Sequence, residues 1–397
     1  MHRRALPERP DWRDKAKALG FGFHEMYGEP YWVDDACYSF TLEQIERDIE
    51  EPSEALHAMC LDMVEEVVAS EELLARIAIP EAQHDLVRSS WDAQDRHLYG
   101  RFDLAYRGAG PAKMLEYNAD TPTSVFETAY FQHDWMVDQR EAEHLAEDVD
   151  QFNLLQEFLV EAFGAFSRDR IFHFACASEN DEDRGTATYL MDCAAQAGHE
   201  VAMLDIRDIG VDDEGRFADA HSKRSSGLRL MDRVIDRCFK LYPWEDMFRE
   251  PFAQHLKPGV WVEPPWKAVL SNKAMLPLLW ERHEGHPNLL ECYFADDPRA
   301  GDLERAVAKP FFSREGENVA LVENGETVEE AEGDYGDEPR IVQAYAPLFE
   351  ADTAEGTVHA VLGSWIVADR ACGLGMREDK SRITKDLSRF VPHVIEG

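Results

Sequence analysis

Arg101-Phe-Asp-Leu-Ala-Tyr-Arg-Gly-Ala-Gly-Pro-Ala-Lys-Met-Leu-Glu-Tyr-Asn118 reads as a β-hairpin, two alternating runs around a Gly108–Pro111 turn. A turn centred between Ala109 and Gly110 puts Arg101 opposite Asn118 and Asp103 opposite Glu116, and the period of two keeps all four on one face. The other face carries Phe102, Leu104, Tyr106, Leu115 and Tyr117, a core-facing stripe interrupted only by Lys113. Carboxylates directly opposite one another destabilise a sheet unless positive charge lies between them, so the pattern asks for a cation. Asp, Glu and an Asn carbonyl are hard oxygen ligands that suit Mg²⁺. A solvated face carrying an ordinary Arg–carboxylate pair fits the same spacing, and the residues alone leave both readings open.

Composition bounds the rest. A chain of 397 residues exceeds the size at which single cores stop growing, about 250–300 residues, so two or three lobes are expected. No apolar run approaches the ~20 residues of a membrane span, and Met-His-Arg-Arg-Ala-Leu-Pro-Glu-Arg-Pro10 has no apolar segment after its basic residues. Seven dispersed cysteines without a C-x-x-C read as reduced cytoplasmic thiols, mostly buried, with neither a zinc site nor a disulfide frame. With 41 Lys+Arg against 79 Asp+Glu, the formal net charge of −38 disfavours nucleic acid and anionic membranes as partners. An anionic ligand must then be met by local positive charge. Only 11 of the basic residues are lysine, which draws attention to Lys273 and Lys309 within structured segments.

The pattern divides the chain into three sections. Residues 1–168 read as helices over 41–75, 80–98, 124–138 and 151–166 around the hairpin, with a Thr41–Gln44 capping box and Thr123 capping the third helix. Residues 169–264 turn to α/β: strands over 170–177, 199–206 and 233–241 and a helix over 184–197 imply a small parallel sheet, with Glu179–Asp183 as the loop after its first strand. From about 265 to 397 come a helix over 271–281 kinked at Pro277, a strand holding Lys309, a turn Ser313–Asn318, and a strand over 319–323. An acidic mobile loop over 323–338, strands over 340–346 and 357–368, and a glycine turn at Cys372–Gly375 complete it. There is no internal repeat.

Lys309 with Arg314, Gly316 and Asn318 has the layout of a phosphate-covering hairpin, and an ordinary tight hairpin has the same layout. G-x-x-x-x-G-K-[ST] and G-x-G-x-x-G are both absent, so neither P-loop nor Rossmann binding is supported. The separated pieces suit phosphate chemistry: a hard-cation site, two lysines, and arginines near glycines at Arg314 and Arg377. No G-x-S-x-G or paired Cys–His offers a nucleophile.

Together, Arg101-Phe-Asp103, Glu116-Tyr-Asn-Ala-Asp-Thr121, Lys240-Leu-Tyr-Pro-Trp-Glu245, Ser271-Asn-Lys-Ala-Met-Leu-Pro277, Val307-Ala-Lys-Pro310 and Leu387-Ser-Arg-Phe-Val-Pro392 resemble the glutathionylspermidine synthetase family over nearly the whole chain. The resemblance implies an α+β, α/β architecture: an ATP-grasp fold with a small parallel-sheet pre-ATP-grasp-like domain and N-terminal helices. It implies an ATP-dependent, ADP-forming carboxylate–amine ligase working through an acyl phosphate, with ATP and Mg²⁺, a peptide-like carboxylate and an amine of the polyamine kind. A nucleotide-binding protein of the same fold that no longer ligates is the alternative. Carried over by position, the resemblance gives Asp103, Glu116 and Asn118 to Mg²⁺, and Arg101 and Arg377 to the phosphoryl group in transfer. Lys273, Lys309, Arg314, Gly316, Asn318 and Gln343–Tyr345 go to ATP, and Thr121, Thr123, Glu182 and Asp183 to the substrates. The hairpin arrives at residue 101, leaving no room for the amidase domain of bifunctional members, and the segment from Trp244 to Lys273 is short. Both features imply a stand-alone, synthetase-like branch whose substrates need not be glutathione and spermidine.

Overall fold

The computed structural model describes residues 1–26, 28–220, 234–385 and 388–397; residue 233 and Leu387, at the ends of two expected elements, lie outside them. Strands Tyr99–Ala105 and Lys113–Asn118 form the hairpin, with Arg101 opposite Asn118 and Asp103 opposite Glu116 as the alternation requires. Beyond that pair the register slips at a bulge, so that Leu104 meets Met114 and Ala105 meets Lys113. Met114, fully buried, takes the core position expected of Leu115, while Leu115 turns to the charged face. The slip also removes Lys113 from the core stripe, and its ammonium reaches the carbonyls of Pro287 and Leu289. Keeping it in the stripe would bury an unpaired charge. Behind the hairpin the Phe102 and Tyr117 rings stack with centroids 3.9 Å apart.

Among the described residues the hairpin belongs to a six-stranded sheet with the long strand Gly356–Val367, then Arg370–Asp379 and Arg389–Val391, while Phe349–Thr353 pairs with the start of the long strand. Gly363 stands opposite Asp103, and a Cβ there would lie 2.8 Å from Arg101 Cδ, so this glycine lets the arginine lie across the sheet. The expected turn at Cys372–Gly375 is instead the interior of a strand. Its glycines admit a helix: a Cβ on Gly375 would meet Thr128 Oγ1 at 2.8 Å. The reversal lies at Ala368 and Asp369, both with positive φ.

A second, five-stranded antiparallel sheet runs Cys292–Phe294, Arg340–Ala344, Arg305–Pro310, Ala320–Glu323 and Glu326–Glu330. The last strand corrects the expected acidic loop, since its glutamates serve a solvent-facing edge, where charge deters further pairing. The third sheet is parallel, ordered Trp261–Val262, Cys238–Leu241, Phe172–Cys176 and Val201–Asp205, as the β-α-β succession predicts. Its crossover helix, Asp181–Gln196, begins earlier than expected because Asn180 caps it, which draws Asp181–Asp183 out of the loop and into the first turn. Pro277 likewise falls in the first turn of Met275–Arg282, where no N–H is required, so it introduces no kink. The Thr41–Gln44 capping box forms, whereas the helix after Thr123 starts one residue late, on the Ser124 carbonyl. All seven cysteines are buried and free. No helix among the described residues is long and apolar enough to cross a membrane.

Candidate active site

The bulge positions the site. By turning out of the ladder, the chain around Met114 and Leu115 presents carbonyls toward the second sheet: Lys309 Nζ donates to Leu115 at 2.8 Å and Gln343 Nε2 to Met114 at 3.2 Å. The two antiparallel sheets therefore face each other across a cleft of about 780 Å³, open solvent at its mouth included. Asp103, Glu116, Lys273, Lys309, Gly316, Gln343, Ala344 and Tyr345 all line it. Sequence reasoning missed its apolar wall, to which Val307, Leu321 and Val361 contribute, and the segment Arg382–Thr384.

Charge in the cleft is balanced by pairs. Arg101 donates to Asp103 at 2.7 Å and to the Thr123 carbonyl at 2.8 Å. Lys273 lies 3.1 Å from Glu116, whose other oxygen accepts from Asn118 at 3.3 Å. Burial alone pushes the Glu116 carboxyl up, but Lys273 and Lys309 outweigh it and hold Glu116 well below the usual range. Lys309 is pushed down to about 8, by burial first and by Lys273, with Glu116 opposing. Asp103, Glu116 and Asn118 share one face of the hairpin, and the first two line the lysine-bearing cleft. Two carboxylates and an amide carbonyl are a donor set that fits a hard divalent cation.

The remaining expected residues gather beside this cleft. Arg314 turns to Thr121 Oγ1 at 2.6 Å and to Glu245. Asn318 Oδ1 accepts from the Tyr335 N–H at 2.7 Å, so its side chain seats the loop. Gly316, at φ +73°, packs so closely that a Cβ would lie 2.3 Å from the Thr384 carbonyl. Arg377, on the strand next to Gly356–Val367, donates to the Lys385 carbonyl at 2.7 Å. Glu182 and Asp183 form the first turn of their helix, both N–H groups on Asn180 Oδ1. Burial, then Glu182 and Glu315, push Asp183 up to about 7 against Arg314.

Three groups were not foreseen. Glu127 is fully buried and accepts from Tyr31 at 2.7 Å; burial and then Glu182 push it up to about 8, with Tyr31 and Arg377 opposing. Its signal was available, since it is the only charged residue between Asp120 and His133. Asp120 forms a fully buried pair with Lys240 and accepts from the Trp244 N–H at 2.9 Å, tying the loop after the hairpin to the parallel sheet. Glu245 then receives Arg314, so Lys240-Leu-Tyr-Pro-Trp-Glu245 clamps the Asn118–Thr123 loop at one end and the Ser313–Asn318 turn at the other.

Over residues 3–396 the chain matches the family described as glutathionylspermidine synthase preATP-grasp. It is 37% identical over 404 residues to a Haemophilus influenzae protein named "Putative acid–amine ligase", covering 98% of each chain. It is 28% identical to the trypanothione synthetase of Crithidia fasciculata and 25% identical to the bifunctional glutathionylspermidine synthetase/amidase of Escherichia coli. Those matches take in 83% and 97% of this chain but only 52% and 63% of the relatives, so the chain spans half to two thirds of these longer enzymes. Among solved structures, a glutathione synthetase-like effector from Globodera pallida superimposes with a TM-score of 0.58 at 11% identity, covering 99% of this chain and 100% of that one, a likeness of fold alone. Two antiparallel sheets enclosing a charged cleft, joined to a small parallel sheet, are the ATP-grasp arrangement, and the chain belongs to the glutathionylspermidine synthase family.

Proposed function

We propose that the protein is an ATP-dependent, ADP-forming carboxylate–amine ligase, with ATP in the cleft between the two antiparallel sheets. The observation that carries this reading is the facing of Arg101, Asp103 and Glu116 on the hairpin by Lys273 and Lys309 across one cleft. Asp103, Glu116 and Asn118 would hold Mg²⁺, which when bound draws charge from the phosphate oxygens. Lys273 and Lys309 meet the phosphates, and a polyanion there offsets the burial that holds Lys309 down. Gln343–Tyr345 and the apolar wall take the adenine side, and the Arg314–Asn318 turn covers the phosphates.

In the reaction a substrate carboxylate oxygen attacks the γ-phosphorus and ADP leaves. Arg101 and Arg377 offset the charge of the acyl phosphate, an amine then attacks its carbonyl carbon, and phosphate leaves. Thr121 and Thr123 lie on the loop that would seat a peptide-like carboxylate. A cationic amine, a polyamine among the candidates, suits Glu182 and Asp183, whose crowded charge it would relieve. We place the enzyme in the cytoplasm and retain the division into 1–168, 169–264 and 265–397, with the hairpin of the first part completing the sheet of the third.

The test is a screen of carboxylate–amine pairs and cell-extract metabolites for ATP-dependent mass gain with stoichiometric ADP. If calorimetry finds Mg²⁺ and ATP bound while no pair elicits ADP, the protein is a nucleotide-binding member of the fold without ligase activity.

Gly316→Ala tests the covering turn. Positive φ alone costs about 1–2 kcal/mol for a residue with a Cβ, and the clash with Thr384 adds to it. A lower urea midpoint and a raised KM for ATP are expected, with the amine KM unchanged.

A further inference from the structure

Behind the hairpin, on the face opposite the cleft, three side chains from distant segments converge. His57 comes from the helix Glu51–Val68, His97 from the chain just before Tyr99–Ala105, and Asp369 from the reversal between Gly356–Val367 and Arg370–Asp379. His57 Nε2 lies 2.8 Å and His97 Nε2 2.9 Å from the same oxygen, Asp369 Oδ1, and the three ligand atoms all lie within 4.8 Å of one another. Nothing in the proposed reaction uses them.

The geometry points to a second metal site here, a His57–His97–Asp369 centre for a divalent ion of the zinc class, independent of the Mg²⁺ proposed for the cleft. Two imidazoles and one carboxylate are a donor set for Zn²⁺ or Co²⁺ rather than for Mg²⁺, which prefers oxygen alone. Ligand atoms around tetrahedral zinc stand roughly 3.3 Å apart, given bonds of about 2.0–2.1 Å. The carboxylate therefore has to withdraw by about half an ångström to admit the ion. Asp369 can do so because its side chain is 59% exposed, whereas those of His57 and His97 are only 2% and 14% exposed. The same exposure leaves a solvent-side position for a fourth ligand.

Support around the centre is in place on the His57 side, while His97 Nδ1 is buried without a hydrogen-bond partner. His57 Nδ1 lies 3.0 Å from Tyr117 Oη, the outer partner that a metal-bound imidazole requires to fix its tautomer. His97 packs edge-on against Trp266, with centroids 5.3 Å apart. Ala368 and Asp369 both hold left-handed dihedrals, φ 44° and 72°, and the Ala368 N–H donates to the Leu98 carbonyl beside His97, so the turn is held where its carboxylate meets both rings. Lys267 is the opposing charge nearby, and Glu263 neutralises it at 2.9 Å. Because Tyr117 adjoins Glu116 in the hairpin, an ion here would brace the cleft's carboxylate-bearing strand from behind.

The experiment titrates the metal-stripped full chain with Zn²⁺ and Co²⁺ in saturating Mg²⁺, following stoichiometry, the visible band of four-coordinate cobalt, and Tm. One equivalent is expected, with a rise in Tm. Asp369→Asn and His97→Gln should each weaken binding by more than the roughly 100-fold ceiling typical of outer partners, and Tyr117→Phe by about 10-fold. Glu116→Gln should leave zinc binding unchanged, which separates this site from the cleft and its failure from failure of the ligase reading. Absence of uptake under Mg²⁺, or uptake indifferent to both His97→Gln and Asp369→Asn, overturns the proposal. So does a loss of Tm in those variants that is equal with and without zinc, which would make the triad a hydrogen-bonded latch.

Discussion

Glu116→Gln should abolish substrate-dependent ADP release, by about 1,000-fold or more, in a protein that still folds. The substitution keeps shape and hydrogen-bonding capacity but removes the anion that three neighbours need. Asp103 loses its partner oxygen across the hairpin for the cation, Lys273 loses its partner at 3.1 Å, and Lys309 loses the charge that opposes its burial. Lys309, already held at about 8, then falls further and reaches the phosphates partly uncharged. The fold should survive because the hairpin is secured elsewhere, by the Phe102–Tyr117 stack, by pairing with Gly356–Val367, and by Lys309 on the Leu115 carbonyl. Circular dichroism and a urea melt check folding, a coupled ADP assay checks turnover, and calorimetry checks that ATP affinity no longer responds to Mg²⁺. Near-normal turnover would remove Glu116 from the metal assignment.

The hairpin was legible because period-2 alternation and a glycine turn are local facts, and one face of the result could be read directly. The bulge was not, although Lys113 in an otherwise apolar stripe was its trace: the chain escaped a buried charge by slipping one residue. Gly373 and Gly375 misled for a related reason. Glycine marks absence of a Cβ, and sequence cannot say whether that absence serves a turn or, as here, the approach of a helix. The acidic run after Glu323 read as a loop because charge density resembles solvation, yet an edge strand needs the same charges. Within the site, residues carried by short motifs fell together around the cleft, while the pairs that orient them did not announce themselves. Asp120 with Lys240 and Arg314 with Glu245 are separated by 120 and 69 positions, and only the packing of three sheets brings them into contact.

Glu127→Gln should leave stability nearly unchanged near pH 4 and raise it by about 4–5 kcal/mol at pH 8.5. In the unfolded chain this carboxyl ionises at its ordinary value of 4.5, whereas in the fold burial, then Glu182, hold it protonated up to about 8. Folding therefore takes up a proton over that interval. The resulting stabilisation is complete below the unfolded value and is lost as pH rises through the folded one. Asp183, raised to about 7, adds to the same trend in both proteins. The broad self-repulsion of a chain of net charge −38 is likewise common to both, so the difference between the two proteins isolates residue 127. Glutamine keeps an acceptor for Tyr31 and is permanently neutral, which makes it a mimic of the protonated acid. Urea unfolding at pH 4, 6 and 8.5 measures the effect, and a difference independent of pH would show that Glu127 titrates in the fold as it does in the unfolded chain. The strain has a functional direction: a cationic amine seated against Glu182 and Asp183 should recover part of the lost stability at pH 8.5 in the wild type and recover less of it in Glu127→Gln, where Glu182 no longer raises a buried carboxyl beside it. Binding energy would then be drawn from carboxylates that the fold crowds together.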